Sequence, residues 1–280
     1  MTLLERLQKR LDLRPSENDT FVGGSGEGGV TSDARLFGGL VAAQATVAAL
    51  RTVAPPTTLH SLHAYFLRPG RAELDITFRV LRTKEGKNFQ VRSVYAEQNG
   101  ETIFQLQASF QAPEDGPEHA IAAPEVVSPE ACPNRDELRG RDPSKMPIDV
   151  RMATEITADK DLPPEQRVWL KANGEIPDDP HLHIALVVYA SDRTLLDTAW
   201  RPHASLGDHA GASLDHVMWF HRAPRFDDWL LYDMTSPAAS NARGLALGRM
   251  YDQTGRLIVS VAQEGLLRVR PKRETVKKDA

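Results

Sequence analysis

Asp192 is an acidic residue in a place where an apolar side chain is expected. It follows the apolar segment HIALVVYAS, and its neighbours one helical turn away are Val188 and Leu196. Burying a carboxylate costs free energy unless the group is partnered or takes part in a reaction. A carboxylate in such a place can serve as a general base. The alternative is that Asp192 faces solvent beside Arg193, and the spacing alone leaves both interpretations open.

Ser213 and Gln263 are two further polar residues whose side chains could take part in a reaction. Ser213 opens the strand-like run SLDHVMWF, and Gln263 interrupts the apolar run LIVSVAQEGLL. Hydroxyl and amide groups each offer donor and acceptor atoms, so both can hold a water molecule. Taken singly, each is better explained structurally, Ser213 as a hydroxyl at a strand end and Gln263 as an amide at an edge or bulge.

Two glycine-containing motifs bear on the possible functions of the chain. The letters GSGEGG at residues 24–29 match GxGxxG, but a dinucleotide site also needs a βαβ unit and an acidic residue about 20 residues later. No Asp or Glu occurs between Asp33 and Glu73, so we interpret the segment as a flexible loop. GxSxG does not occur, which disfavours the serine nucleophile of an α/β-hydrolase.

The histidines cluster in the second half of the chain. Six of the nine lie from His181 to His221. HExxH does not occur, and the spacing fits no zinc-binding template. We therefore expect no metal, and we expect structural roles, such as packing and hydrogen bonding, for histidines at alternating strand positions like His216.

The elements that must position these residues recur in the two halves. The apolar, alanine-rich segment from Leu36 to Leu50 predicts a buried helix, which Pro55 and Pro56 end. The segment from His183 to Ala199 predicts a matching helix. Four strand-like runs follow each helix: LHSLHAYFL, ELDITFRVLRT, FQVRSVYAEQ and ETIFQLQASFQ in the first half, and SLDHVMWFHR, WLLYDMTS, RGLALGRMYDQ and RLIVSVAQEGLLRV in the second.

This recurrence indicates an internal duplication. The opening strands HAYFLR and HVMWFHR match at an offset of about 150 residues, and Asn99-Gly100 and Thr254-Gly255 occupy matching turns. A helix that is apolar nearly all round must be covered on most sides, and a strongly curved sheet does this. We therefore predict an α+β double hotdog, in which two central helices are each wrapped by an antiparallel sheet and the sheets join edge to edge.

The same pattern sets the expected domains. Residues 1–112 form the N-terminal hotdog and residues 145–280 form the C-terminal hotdog, which carries the candidate catalytic residues. Residues 113–144 between them are rich in proline and charge, which is typical of a linker. The single cysteine, Cys132, lies in this linker, and we expect it to be dispensable for catalysis.

Composition excludes several classes of protein. The chain has 280 residues, 34 Lys plus Arg, 38 Asp plus Glu and a formal net charge of -4. One cysteine rules out an internal disulfide and a cysteine-cluster metal site. The mild acidity argues against a general nucleic-acid binder. No stretch approaches the ~20 apolar residues of a membrane span, and charges interrupt the N-terminal MTLLERLQKRLDL, so we expect a cytoplasmic protein.

Several longer segments in both halves carry a resemblance to a known family. In the first half they are LFGGLVAAQA, LHSLHAYFLRPG and IFQLQASFQAPE, and in the second half they are PDDPHLHIALVVYASD, SLDHVMWFHR, WLLYDMTSPAASNARG and VAQEG. Through these segments the chain resembles the acyl-CoA thioesterase II family from about Thr20 to Arg268. The resemblance implies a double-hotdog enzyme of fatty acid metabolism that hydrolyses fatty acyl-CoA to free acid and CoA without a cofactor. A homo-oligomer of double-hotdog units is possible.

The resemblance also implies a catalytic set. The aspartate of the family's YxSD motif falls on Asp192, the hydroxyl before LDH falls on Ser213, and the glutamine of QEG falls on Gln263. This set agrees with the chemistry of the residues, because thioester hydrolysis needs an activated water and a stabilised oxyanion. Backbone N–H groups near Gly38 or Gly39, at a helix start, are candidate oxyanion donors.

Binding of the CoA phosphates calls for Arg or Lys at the pocket mouth, and Arg68, Arg222 and Arg243 are candidates. Two other functions stay open. One is a catalytically silent acyl-CoA-binding hotdog. The other is a hotdog enoyl-CoA hydratase, which needs an Asp/His dyad, whereas Asp215 and His216 are adjacent on a strand and should point to opposite faces.

Overall fold

The computed structural model describes residues 1–24, 36–155, 160–207 and 209–270. Residues 25–29 of the glycine-rich motif lie outside these ranges, and the loop expected there stays a prediction. In the described residues the α-helices are α1 (Leu3–Leu11), α2 (Gly38–Leu50), α3 (Arg135–Leu138), α4 (Pro180–Ser191) and α5 (Leu195–Trp200). None of them is long and apolar enough to cross a membrane.

The strands of the described residues belong to one sheet of 13 strands. In the N-terminal half they are β1 (Arg14–Pro15), β2 (Thr20–Gly23), β3 (Thr58–Phe66), β4 (Ile76–Glu85), β5 (Phe89–Gln98) and β6 (Glu101–Gln111). In the C-terminal half they are β7 (Ile148–Met152), β8 (Glu165–Ala172), β9 (His209–Ser213), β10 (Asp215–Phe220), β11 (Leu230–Ser240), β12 (Arg243–Asp252) and β13 (Leu257–Val269).

The strand order shows the duplication directly. It runs β1-β2-β4-β5-β6-β3-β10-β13-β12-β11-β8-β7, with β9 added beside β13. The order is symmetric about the β3–β10 pair, and these neighbouring strands are antiparallel. The halves thus join edge to edge, as expected, and the sheet continues from one into the other. The predicted α+β double hotdog is confirmed.

The two central helices are buried because their sequences leave no polar face. Every residue of α2 after Gly38 is buried, and so is every residue of α4 from His183 onward. The helices pack against each other inside the curved sheet. The start of α2 lies beside the end of α4, since the Gly39 N–H bonds to Asp192. The two helices are therefore antiparallel, and each end of the pair holds the start of one helix and the end of the other.

The predicted single helix from His183 to Ala199 is wrong in one respect. The structure ends α4 at Ser191 and starts α5 at Leu195, so that Asp192 caps α4 instead of lying within a helix. The sequence on both sides favours helix. Hydrogen bonds from other elements to the Asp192 side chain instead fix this residue at a helix end, and such tertiary contacts override local propensity.

The proline-rich segment 113–144 packs against the C-terminal half of the sheet. Cys132 is buried there in a small cluster with Trp169, Leu231 and Tyr251. The Trp169 indole donates a hydrogen bond to the Val127 carbonyl at 3.0 Å. Cys132 is therefore a packed residue and not an exposed linker thiol, and its burial raises the pKa of the thiol.

Replacement of Cys132 tests this packing. Cys132→Ser should lower the free energy of unfolding by about 1–2 kcal/mol, because a hydroxyl loses water here without gaining a strong partner. Cys132→Val is the matched control, since it keeps an apolar side chain and should cost less. Urea unfolding followed by tryptophan fluorescence measures both. Equal stability of wild type and Cys132→Ser would contradict the packed position.

Candidate functional site

Asp192, Ser213 and Gln263 meet in one hydrogen-bonded cluster. The Gln263 Nε2 donates to Asp192 Oδ1 at 2.6 Å and to Ser213 Oγ at 2.7 Å. The Ser213 hydroxyl donates to the same Asp192 Oδ1 at 3.1 Å. The chain separates these residues widely, and the fold brings all three into contact.

Three elements of the C-terminal half supply these side chains. Asp192 caps α4, Ser213 ends β9, and Gln263 lies in β13. Strand β9 pairs with β13, and Ser213 stands opposite Gly265. The alternating burial of β13 turns Gln263 toward the helices, where it is fully buried. Its amide is thus an inward-facing strand position and not an edge or bulge.

The N-terminal half contributes backbone to the same place. The Gly39 N–H donates a hydrogen bond to the Asp192 carboxylate. A Cβ added at Gly38 would lie 2.9 Å from Asp192 Oδ2 and 2.8 Å from the Phe66 ring. The start of α2 approaches the carboxylate this closely because residue 38 has no side chain. The site therefore lies between the two halves.

Burial makes Asp192 an unusual carboxyl group. Desolvation raises its pKa from 3.8 to about 6, although hydrogen bonds from Gln263, Ser213 and Gly39 oppose this rise. These partners are all neutral groups, and the negative charge of Asp197 adds to the rise. A carboxyl group with a pKa near neutrality is well suited to accept and return a proton at physiological pH.

Behind the cluster, a second layer of buried polar groups fixes the end of α4. The His216 Nε2 and the Ser191 hydroxyl lie 2.8 Å apart, and the Tyr232 hydroxyl donates to the Ser191 carbonyl at 3.3 Å. Burial lowers the pKa of His216 to about 4, so its imidazole is neutral at pH 7. The sequence analysis missed Ser191 and Tyr232. For Ser191 the available signal was a hydroxyl in an otherwise apolar helix.

Other candidate residues have separate partners. Asp215 accepts a hydrogen bond from the Glu264 backbone N–H at 2.6 Å, whereas His216 bonds to Ser191 inside the fold. Asp215 and His216 therefore face different surroundings and form no dyad. Within the described part of the chain, no group of three or more His, Cys, Asp or Glu side chains is arranged to hold a metal ion.

The three candidate arginines separate in space. Arg243 is paired with Glu264 at 2.9 Å on the strands beside Ser213, and Arg68 follows the strand that carries Phe66. Arg222 instead lines a cavity with Pro180, at the start of α4. It lies at the opposite end of the helix pair from Asp192, so the expectation that it lies at the mouth of this site is wrong.

Comparison with known proteins gives consistent matches over both halves. A family model described as acyl-CoA thioesterase matches residues 139–266, and one described as acyl-CoA thioesterase N-terminal domain matches residues 28–111. The chain is 37% identical over 284 residues to acyl-coenzyme A thioesterase 8 of Homo sapiens, covering 93% of this chain and 88% of that protein. It is also 37% identical over 252 residues to acyl-CoA thioesterase 2 of Haemophilus influenzae, covering 84% of this chain and 88% of that protein.

Solved structures agree. The acyl-CoA thioesterase II TesB2 from Mycobacterium marinum is similar with a TM-score of 0.80 and 39% sequence identity, covering 94% of this chain and 98% of that one. The tesB protein of Mycobacterium avium subs paratuberculosis is similar with a TM-score of 0.81 and 32% identity, covering 96% of this chain and 100% of that one.

The raised pKa of Asp192 predicts a pH-dependent effect on stability. Its pKa is higher in the folded protein, about 6, than the usual 3.8. The stability that it contributes is therefore fully present below pH 3.8 and is lost as the pH rises through 6. Asp192→Asn removes this loss. The free energy of unfolding of the variant minus that of wild type should therefore rise by up to about 3 kcal/mol between pH 4 and pH 8.

Urea unfolding of both proteins at pH 4, 6 and 8 measures this difference. The matched control is Asp149→Asn, a partly exposed carboxylate bound to Arg151, which should show no gain with rising pH. A stability difference between Asp192→Asn and wild type that stays constant with pH would show that Asp192 is not desolvated as described.

Proposed function

Because the chain belongs to the acyl-CoA thioesterase family, whose members hydrolyse thioesters, we propose that it cleaves fatty acyl-CoA by direct attack of one water molecule. Asp192, Ser213 and Gln263 hold and activate that water. The observation that carries the proposal is a partly buried carboxylate of raised pKa whose Oδ1 is contacted by both a hydroxyl and an amide. A cytoplasmic location and assembly of double-hotdog units into homo-oligomers stay predictions.

The reaction needs one proton acceptor and one place for negative charge. Asp192 takes a proton from the water while the water oxygen bonds to the thioester carbonyl carbon. The carbonyl oxygen becomes an oxyanion. When the C–S bond breaks, the thiolate of CoA leaves and receives the proton from Asp192. The products are free acid and CoA, and the carboxylate is regenerated.

The start of α2 is the proposed oxyanion site. The Gly39 N–H already serves Asp192, which leaves the Gly38 N–H as the donor for the oxyanion. The positive end of the α2 dipole favours negative charge at this point. The absence of a side chain at Gly38 lets the carbonyl approach both the N–H and the water.

Water attack is favoured over a serine acyl-enzyme by the environment of Ser213. The imidazole of His216 is bonded to Ser191, and its low pKa makes it a weak base. Ser213 therefore has no histidine to remove its proton, in contrast to a serine hydrolase. Its hydroxyl donates to Asp192 and accepts from Gln263, an arrangement that suits a water-holding role.

Replacement of Asp192 tests the base. Asp192→Asn should lower kcat by about 10²–10⁴-fold with a smaller change in KM, because shape is kept and the proton acceptor is lost. In the wild type, kcat/KM should fall as the pH drops through about 6, the pKa of Asp192. Release of free thiol from dodecanoyl-CoA measures both. Cys132→Ser is the control and should stay within about twofold of wild type. Full activity of Asp192→Asn would overturn the site.

Replacement of Ser213 tests the route. Ser213→Ala should keep residual activity if serine positions the water, since Asp192 and Gln263 remain. Mass spectrometry of the wild type during turnover should detect no acyl group on the protein. A covalent acyl adduct on Ser213, together with complete loss of activity in Ser213→Ala, would replace water attack by an acyl-enzyme mechanism.

A further inference from the structure

The duplication places a second, equivalent position at the other end of the helix pair. The candidate catalytic cluster lies where α4 ends and α2 begins. Where α2 ends and α4 begins, the structure has a cavity of about 480 Å³, bounded by Leu50 of α2 and by Pro180 and Ile184 of α4. Since α2 has 13 residues, the two positions lie about 20 Å apart along the helix.

The strand neighbours of the cavity also match. At the catalytic end, Ser213 precedes β10 and Asp215 is its first residue. Phe220, the last residue of β10, lines the cavity. Phe66 ends β3 beside the catalytic cluster, and Leu59, near the start of β3, lines the cavity. The symmetry of the sheet about β3 and β10 therefore relates the two positions to each other.

Hydrolytic residues are missing from the second position. Arg51 and Thr52 follow α2, as Asp192 follows α4. Arg51 donates to Asp12 at 2.7 Å, and Thr52 accepts from Arg92 at 2.8 Å. Strand β6 stands where β13 stands in the other half, and its buried side chains are all apolar: Ile103, Phe104, Leu106, Ala108 and Phe110. In the part of the chain that the structure describes, neither β6 nor the end of α2 supplies an equivalent of the Asp192 carboxylate or of the buried Gln263 amide.

The polar groups that line the cavity are mostly uncharged or already paired. His60 bonds to Ser109 and His221 bonds to Ser260, each at 2.8 Å through Nε2. Desolvation lowers the pKa of both imidazoles and so favours their neutral forms.

Charge at the rim of the cavity disfavours an anion. The Arg222 guanidinium donates to Glu118 at 2.8 Å and to the Leu257 carbonyl at 3.1 Å, so a carboxylate already neutralises it. Glu114, which also lines the cavity, is exposed. A free carboxylate placed here would meet like charge, whereas a neutral carbonyl can accept a hydrogen bond from an imidazole N–H.

We propose that this cavity is a second acyl-group site, which binds the alkyl chain and neutral carbonyl of a thioester or ester and does not cleave it. Its volume lies in the usual range for small-molecule pockets. Eleven of the nineteen residues that line it are apolar, which suits an alkyl chain, and the polar ones can meet the carbonyl. The ligand class rests on the proposed function, since the symmetry-related position is the one assigned to the acyl thioester.

A neutral thioester analogue that cannot be hydrolysed tests the site. The probe is the 2-oxotetradecyl thioether of N-acetylcysteamine, which keeps the carbonyl, sulfur and alkyl chain. Ala223 is an exposed residue of the cavity lining, and Ala223→Trp should fill the entrance. Ala120→Trp is the matched control, because Ala120 is exposed and lies outside the lining.

Isothermal titration and native mass spectrometry should find one fewer bound probe per chain in Ala223→Trp than in wild type and in Ala120→Trp. Dodecanoate should bind the same site at least about tenfold more weakly. The same number of bound probes in all three proteins, or an equal loss in the control, would overturn the proposal. Because the probe is not cleaved, this result does not depend on whether Asp192 is the base.

Photo-crosslinking of wild type with a probe that carries a diazirine at the chain end provides a second measurement. It stays informative even if Ala223→Trp folds poorly. Labelled peptides should include residues at both ends of the helix pair, with Ile184 or Phe220 marking the second site. Labels confined to the surroundings of Asp192 and Phe66 would also overturn the proposal.

Discussion

The desolvated carboxylate of Asp192 is the constraint around which the rest of the site is arranged. It stands at the C-terminal end of α4, where the helix dipole disfavours negative charge. The N-terminal end of α2, through the Gly39 N–H, supplies the compensating dipole. An antiparallel pair of central helices provides both ends at one point. The edge-to-edge joining of the two halves is therefore what makes a tolerable place for this charge.

The duplicated fold is used unequally. The C-terminal half supplies the side chains that can do chemistry, and the N-terminal half supplies backbone at Gly38 and Gly39. At the other end of the helix pair the roles are not exchanged, because α2 is followed by Arg51 and Thr52, which are bound to other parts of the N-terminal half. The sheet is therefore symmetric, whereas the side chains that can do chemistry occur at only one end of the helix pair.

Much of the fold could be predicted because its pattern is strong. Eight of the nine described strands that follow the central helices, β3 to β6 and β10 to β13, were readable from their alternation and turns, and Asn99 and Gly100 both adopt the positive φ of a tight hairpin. Strands β1, β2 and β9 were missed, and so were β7 and β8, which precede the second central helix. Ile148, Val150 and Met152 do alternate with polar residues, but the run is short and follows a proline-rich segment. The break in the helix at Asp192 depends on partners that no local pattern contains.

The site was only partly predictable for a related reason. The positions of Ser213 and Gln263 have structural explanations when taken singly, and the resemblance to a family, not their spacing, singled them out. Ser191 and Tyr232 support the end of α4 from behind, and their role appears only when β10 and β11 are folded around the helix. Side chains that act through others leave weak signals in a single sequence.

A comparison with a second desolvated charge, that of Arg92, explains why Asp192 has its raised pKa. Arg92 is fully buried in the N-terminal half, but Glu85 contacts its guanidinium at 2.8 Å and Thr52 accepts a hydrogen bond from it. A charge that is neutralised in this way is structural. Asp192 is partly buried, yet the groups that bind it, from Gln263, Ser213 and Gly39, are neutral. A cation in their place would stabilise the carboxylate and lower its pKa. Neutral donors orient the carboxylate and leave it basic enough to take a proton from water.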